Sequence, residues 1–161
     1  MIRAERCTVS FYRYLYQAVG EAWLWFERCE WSDTRLAALL GRRETEIYVL
    51  YVGGVPAGFY ELDRSDPADV RLAYFGLLAE FIGRGYGAWL LAAAVETAWR
   101  GNPRRLRVHT CTFDHPRALG LYQRAGFIVR ERRPVAFADP RLTGTLPRNL
   151  RHPRLPPLPP A

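Results

Sequence analysis

Residues 75–99 constrain the fold more than any other part of the chain. They have the pattern of a strand end, a glycine-rich turn written Gly83-x-Gly85-x-Gly87, and a long helix that runs to Trp99. This helix is apolar on most of its faces, and helices of that kind are buried by neighbouring elements. The segment therefore predicts a strand–turn–helix unit in which the helix packs against a sheet.

Further helices and strands surround this unit. Apolar residues recur at helical spacing before Gly20, and Ser32 is a capping residue in front of a second helical stretch. Two β-rich runs are joined by Gly53-Gly54, and two glycines that can both adopt positive φ indicate a hairpin. The other predicted elements are strands over 46–52, 55–62, Val70–Leu78 and Leu106–Thr112, a helix from Pro116 to near Ala125, and a strand from Phe127.

The predicted order of elements is α-α-β-β-β-α-β-α-β, which is typical of an α/β fold. Only residues 1–6 precede the first helix, so an N-terminal strand would be short or missing. The length of 161 residues favours one domain. No apolar run approaches the ~20 residues of a membrane span, and the first residues lack a secretory signal. We expect a cytoplasmic protein without membrane association, and three scattered cysteines fit a reducing compartment.

The positive charge is unevenly distributed. The net charge is +7, and all 23 basic residues are arginine. The lack of lysine excludes Schiff-base catalysis and a Walker-type phosphate lysine. Residues 130–161 contain seven arginines and two acidic residues, so most of the excess charge lies there. Apart from Phe137, no aromatic residues are interleaved with these arginines, so no nucleic-acid partner is expected.

The last part of the chain is compositionally distinct. Eight of the twelve prolines lie from Pro134 onward. Proline fixes φ and lacks a donor, so an extended, partly polyproline II segment is predicted. We interpret residues 134–161 as a solvated or loosely docked tail after a domain of residues 1–133. A last strand within Arg133–Leu146 and a role as ligand for aromatic-groove domains both stay open.

The glycine turn has the chemistry of an anion site. A helix start exposes unpaired N–H groups and the positive end of the dipole, and glycines let a phosphate approach them closely. The turn matches neither the Walker motif nor the dinucleotide-binding G-x-G-x-x-G pattern. By itself it would fit a tight turn with close helix packing equally well.

A second motif, His115 to Phe127, makes the pattern specific. It contains Ala118, Leu121 and Tyr122 on one helical face, and Gly126 as a terminator. Together the two motifs resemble the GNAT superfamily of acyl-CoA-dependent N-acyltransferases, with its Arg/Gln-x-x-Gly-x-Gly/Ala turn and later Asn-x-x-Ala-x-x-Leu-Tyr-x-x-x-Gly-Phe. The resemblance covers residues 46–133 in element order. Two positions depart from it, because Ile82 replaces Arg/Gln and His115 replaces Asn.

The resemblance implies a mixed, mostly antiparallel sheet that splays between its fourth and fifth strands, with helices on both faces. It also implies acetyl-CoA, or another acyl-CoA, as the acyl donor. The pantetheine arm would pair near the end of the fourth strand, and Tyr122 holds the position of the family's general acid. The residues implied to bind the cofactor are Leu77, Leu78, Ile82, Gly83, Arg84, Gly85, Tyr86, Gly87, His115 and Tyr122.

The base that deprotonates the amine has two candidates. Glu61 ends a strand that should border the site, and His109 lies in the predicted strand Leu106–Thr112, where alternation puts it on one face with Cys111. Either side chain could instead be structural. Cys111 is not expected to act as a nucleophile, because the family needs no acyl-enzyme. No metal is expected, since His109-x-Cys111 with His115 lacks zinc-ligand spacing.

Aromatic residues crowd the two N-terminal helices, the region that resembles the family's acceptor gate. Most of them are expected in the core, and one of Trp23 and Trp25 is expected at the gate. An aromatic wall with Glu21 or Glu27 nearby would suit a cationic amine with an apolar body. The aromatic residues are Tyr12, Tyr14, Tyr16, Trp23, Trp25, Phe26 and Trp31.

The leading hypothesis is an N-acetyltransferase that moves an acetyl group from acetyl-CoA to a primary amine of a small molecule, by direct attack in a ternary complex. Three alternatives stay open. The acceptor could be a protein or peptide amine, the acyl group could be longer than acetyl, or the domain could be a non-catalytic CoA-binding or regulatory module. A homodimer also stays open.

Overall fold

The structure is a computed structural model that describes residues 1–159. Five strands form one mixed sheet in the order β1-β2-β3-β4-β5, in which only β4 and β5 are parallel. None of the helices within this range is long and apolar enough to cross a membrane. The strands are β1 Ile2–Arg3, β2 Thr45–Val52, β3 Val55–Asp63, β4 Asp69–Leu77 and β5 Arg105–Val108; the helices are α1 Val9–Gly20, α2 Asp33–Leu40, α3 Tyr86–Trp99 and α4 Ala118–Arg124.

Local sequence signals explain the N-terminal half. The Thr8 and Ser32 side chains accept hydrogen bonds from backbone N–H groups in the first turns of α1 and α2, as N-capping residues do. Gly53 and Gly54 connect β2 to β3 with φ of 60° and 85°, as the predicted hairpin requires. The N-terminal strand is present but contains only two residues, which pair with β2.

Helices cover both faces of the sheet. On one face α3 and α4 pack over a core that includes Tyr60, Leu72 and Leu90. On the other, α1 and α2 cover a core that includes Leu15 and Phe59. Strand β3 is central, so its side chains alternate between two buried environments. The predicted α/β fold with helices on both faces is confirmed.

The sheet divides where β4 and β5 diverge. The parallel pairing joins residues 69–72 to residues 105–108 and then stops, although β4 continues to Leu77. A bulge marks the same region, because Glu61 pairs with Tyr74 and Leu62 with Leu72. The extra residue bends β4 away from β5. One edge of residues 73–77 therefore has no strand partner within the described chain, as the predicted splay requires.

Two predicted strands differ from the structure. Strand β5 ends at Val108, so His109 and Cys111 lie in the following loop and the predicted strand Leu106–Thr112 is too long. The strand predicted from Phe127 does not form, and residues 127–139 have no regular secondary structure. Side chains in this stretch, such as Ile128, are largely exposed. The apolar run Phe127–Val129 lies on no sheet face, and burial on a sheet is what stabilises such a run as a strand.

Residues 134–159, hereafter the C-terminal segment, contain no strand and form several turns. Four of these residues, Pro140, Arg141, Leu146 and His152, are buried, so the segment is not a freely solvated tail. It packs against the connection between α1 and α2 and against the loop after β5. Long-range contacts of this kind leave no local sequence pattern.

Candidate active site

The glycine turn presents a row of free backbone donors. Gly83 and Gly85 have φ of 86° and 85°, a region that residues with a Cβ rarely occupy. The N–H of Ile82 donates to the carbonyl of Ala79, so the free donors begin one residue later. The six N–H groups of residues 83–88 have no acceptor among the described residues. They lie at the N-terminus of the 14-residue helix α3, whose dipole favours an anion.

Arg84 lies within this turn. Its side chain is exposed, lies 5.9 Å from the centre of the Phe81 ring, and forms no ion pair with residues 1–159. Ile82 is half-buried and carries no charge. The positive side chain in the turn is therefore Arg84, at the position after Gly83.

The turn, the end of β4 and α4 meet at Gly87. A Cβ on Gly87 would lie 3.7 Å from Leu77 Cδ1 and 3.8 Å from Leu121 Cδ2. Leu77 ends the open edge of β4, and the N–H of Leu78 is already used by the carbonyl of Ala57 at 3.0 Å. The sequence-predicted cofactor residues of the turn and of β4 are thus brought together.

Tyr122 lies on α4 beside the same edge. Its ring packs 5.9 Å from the ring of Phe75 on β4 and 5.8 Å from that of Phe127. Only 6% of the residue is exposed, and its hydroxyl makes no hydrogen bond to residues 1–159. Burial raises the pKa of the Tyr122 hydroxyl above its ordinary value, and the charge of Asp114 raises it further. The group is a protonated donor available to a ligand.

His115 is engaged within the protein. Its Nδ1 accepts the N–H of Arg117 at 3.1 Å, and its ring lies 5.0 Å from that of Trp23. Burial and the neighbouring Arg117 lower the pKa of this imidazole. The side chain thus closes the turn before α4, and its ring connects that turn to the N-terminal half.

Glu61 lies in a different environment from Tyr122. It is 1% exposed, and its two carboxylate oxygens accept from the Tyr12 hydroxyl at 2.6 Å and from Arg28 Nη2 at 3.1 Å. Burial raises the pKa of Glu61, while Arg28 and Tyr12 stabilise its charged form and oppose that rise. The Arg28 guanidinium also stacks 4.0 Å from the Trp31 ring. The carboxylate is enclosed and fully bonded.

His109 and Cys111 are exposed on the loop after β5. The same loop is held by Asp114, whose Oδ2 accepts from the Thr110 hydroxyl at 2.7 Å and from the Cys111 N–H at 2.9 Å. Of the two predicted base candidates, His109 is accessible from solvent and Glu61 is not. Asp114 was not among the predicted site residues, although it precedes the second motif directly.

The N-terminal aromatic residues divide into two sets. The Trp25 ring packs against the rings of Tyr16, Phe59 and Tyr74, with centroid distances of 5.5, 6.2 and 5.1 Å. Trp23 points elsewhere, with ring centres 5.0 Å from His115 and 6.4 Å from His152. Trp25 is thus a core residue, and Trp23 is the one beside the C-terminal segment.

A family model described as the acetyltransferase (GNAT) family matches residues 12–127. The chain belongs to the GNAT acetyltransferase family. The match spans the glycine turn, the open edge of β4 and the motif of α4. The resemblance inferred from the two sequence motifs is therefore confirmed. No curated protein matches the chain.

Solved structures share the fold at low sequence identity. An aminoglycoside acetyltransferase from an uncultured soil metagenomic sample has a TM-score of 0.63 and 17% identity, over 85% of this chain and 93% of its own. The IAA acetyltransferase of Bacillus cereus ATCC 14579 has a TM-score of 0.59 and 23% identity, over 81% and 78%. A GNAT family acetyltransferase from Elizabethkingia anophelis, solved with acetyl-CoA bound, has a TM-score of 0.53 and 22% identity, over 62% and 63%.

Proposed function

We propose that this GNAT protein transfers an acetyl group from acetyl-CoA to the primary amine of a small molecule, by direct attack in a ternary complex. The observation that carries the proposal is the meeting of three features along the open edge of β4. The six free N–H groups of residues 83–88 adjoin the end of that edge where Gly87 approaches Leu77, the edge itself is unpaired, and the Tyr122 ring packs on Phe75 of the same strand.

The turn fits the diphosphate of acetyl-CoA. Its free donors at a helix start, with Arg84 beside them, can bind an anion without any lysine. The unpaired edge of residues 73–77 offers backbone groups to the amide-containing arm of the same molecule. Acetyl-CoA supplies a thioester, whose C–S bond breaks as the C–N bond to the amine forms.

Tyr122 is the proposed general acid. Tyr122 is 6% exposed, its hydroxyl is unbonded among the described residues and its pKa is raised, so the group stays protonated at neutral pH and can donate that proton to the departing thiolate. Donation by a positioned acid contributes about 10²–10⁴-fold to a rate. His115 is proposed to position α4 through its contact with Trp23, in place of the cofactor contact expected from the sequence.

His109 is the proposed base, acting directly or through water on the amine. Glu61 is proposed as a positioning residue, because its oxygens are already bonded and it is closed to solvent. Through Arg28 it holds the α1–α2 connection against β3. The expected role of Glu61 as a base is therefore not part of the proposal.

Thiol release from acetyl-CoA tests the proposal. Because the sequence contains no lysine, no side chain of the enzyme itself offers a primary amine, and thiol release above the rate without added amine reports the acceptor. We expect release with a panel of small amines, and a loss in Tyr122→Phe of about 10²-fold or more in kcat. Binding of acetyl-CoA without release on any amine would identify a binding module, and release only with peptide amines would change the acceptor class.

A further inference from the structure

The C-terminal segment is an ordered part of the molecule. Arg141, 2% exposed, donates to both oxygens of Asp139 and to the carbonyls of Leu150 and Pro156. One side chain thus joins Asp139, Leu150 and Pro156, the last of which is 15 residues from Arg141 in sequence. Arginine stays charged at any ordinary pH, so the donor at the centre of this organisation does not titrate.

The same segment is anchored to the rest of the fold by His152. This residue is 5% exposed, and its Nε2 donates to the carbonyl of Phe113 at 2.9 Å, while Nδ1 accepts the N–H of Arg154 at 3.1 Å. The His152 ring lies against both Trp23 and Phe113. The segment therefore bridges the α1–α2 connection and the loop that follows β5.

A cleft of about 160 Å³ lies under the segment. Among the described residues that line it, Asp139 alone is ionisable. Both carboxylate oxygens of Asp139 accept from Arg141, which lowers the pKa of Asp139. The cleft is thus mostly apolar, and the charge of its one acidic side chain is balanced by Arg141. We call this cleft the tail cleft. It is lined by Leu24, Phe113, Val135, Ala136, Phe137, Asp139, Pro140 and Leu155.

We propose that the tail cleft binds the uncharged, apolar body of the amine acceptor; this inference rests on the proposed function. Phe113 places the cleft beside the reacting end, because it lies in the loop that leads directly into α4, the helix that carries Tyr122. On the other side, Leu24 belongs to the α1–α2 connection, whose Trp23 ring lies 5.0 Å from the ring of His115 in the same loop. An acceptor seated there can direct its amine along that loop toward Tyr122. The C-terminal segment is then a specificity element of the enzyme.

The volume and the chemistry of the cleft define the acceptor class. An apolar cavity of about 150 Å³ accommodates a benzene ring, so the tail cleft matches a single ring or a short branched alkyl group. None of the described lining residues carries an unpaired charge, so a second cationic group on the acceptor would gain no binding energy there. The class is a primary amine on a compact apolar body, and benzylamine is the simplest probe.

The test compares two tryptophan variants of the full chain. Leu155→Trp fills the tail cleft, whereas Leu142→Trp makes the same change at a side chain that is 60% exposed and lies outside the cleft. We expect Leu155→Trp to raise the KM for benzylamine at least tenfold and to leave the KM for acetyl-CoA and for ethanolamine unchanged. Leu142→Trp should behave as wild type. Val135→Trp, at a lining residue that is 71% exposed, repeats the test with little risk to folding.

A binding measurement separates this inference from the proposed function. Saturation-transfer NMR with benzylamine requires no turnover, and we expect a signal with wild type and Leu142→Trp that Leu155→Trp and Val135→Trp abolish. That pattern without any thiol release would support the cleft and overturn the proposed function. Thiol release with amines whose KM values are the same in all four proteins would retain the enzyme and overturn the cleft, as would absence of benzylamine binding to wild type.

Discussion

The Glu61 carboxylate and the Arg28 guanidinium form an ion pair, 3.1 Å from Oε1 to Nη2, in which the two side chains are 1% and 7% exposed. Strand β3 and the α1–α2 connection are thereby joined at the centre of the N-terminal face. Buried pairs of this kind are costly to break, because the remaining partner is left as an uncompensated charge.

Replacing Glu61 by Gln should therefore destabilise the protein. The amide can still accept from Tyr12, but Arg28 remains charged, and the loss should be about 3–5 kcal/mol in the free energy of unfolding. Urea denaturation followed by circular dichroism measures it. The double variant Glu61→Gln with Arg28→Met is the control and should recover part of the loss. Full stability with a large fall in kcat would instead restore Glu61 as a base.

Replacing Gly85 by Ala should weaken binding of CoA. The residue has φ of 85°, and an Ala there either keeps a strained backbone or turns the following N–H groups away. We expect at least a tenfold rise in Kd by isothermal titration calorimetry. Gly144→Ala is the matched control, since Gly144 has φ of 79° with open space around it but lies in the C-terminal segment. An equal rise in Kd in both variants would show that backbone strain weakens binding in general, and that the N–H groups at Gly85 are not the binding site.

Replacing His109 by Gln should slow acetylation most at pH values at which the acceptor amine is largely protonated. Without a base, the reaction depends on the fraction of amine that is already neutral in solution. We expect a fall in kcat/KM of about 10²-fold at pH 7, and a smaller fall at a pH above the pKa of the acceptor amine. Stability should not change, because the side chain is exposed. A deficit that is the same at every pH would exclude His109 as the base.

The protein should lose stability in alkali. Burial raises the pKa of Tyr60 to about 12, and burial also raises the pKa of Tyr12 and Tyr16. Tyrosines in the unfolded chain ionise near 10, so the stabilisation is complete below that pH and is lost as the pH rises toward 12. We expect the free energy of unfolding to fall between pH 9 and pH 11 in urea titrations.

Tyr60→Phe is the control for this pH dependence, since it removes one titrating hydroxyl, which donates to Thr97 at 3.1 Å. The slope of stability against pH should decrease in that variant. A free energy of unfolding that is equal at pH 9 and pH 11 would show that these hydroxyls ionise as easily in the folded state as in the unfolded chain.

The parts of the fold that were predicted correctly are those with local causes. Ser32 caps a helix through its own side chain, and Gly53-Gly54 forms a hairpin because both residues accept positive φ. The glycine turn was found because its donors belong to consecutive residues. Each of these signals lies within a few positions of the chain.

The features that were missed depend on distant partners. Glu61 has the appearance of a hairpin charge in sequence, and only the packing of Tyr12 and Arg28 around it gives it a structural role. A usable signal was its place in a central strand covered on both faces. The docking of His152 on Phe113 joins residues 39 apart, and nothing in the proline-rich composition indicates it.

The open edge of β4 has a consequence for exchange with solvent. Residues 73–77 lie in a notch where β4 diverges from β5, and the backbone groups on that edge have no strand partner within the described chain. Amide deuteration there should report occupancy directly, rapid while the notch is empty and slow once a bound arm completes the ladder. Under the proposed function, the arm of acetyl-CoA would supply the strand that the described chain leaves unpaired at this edge.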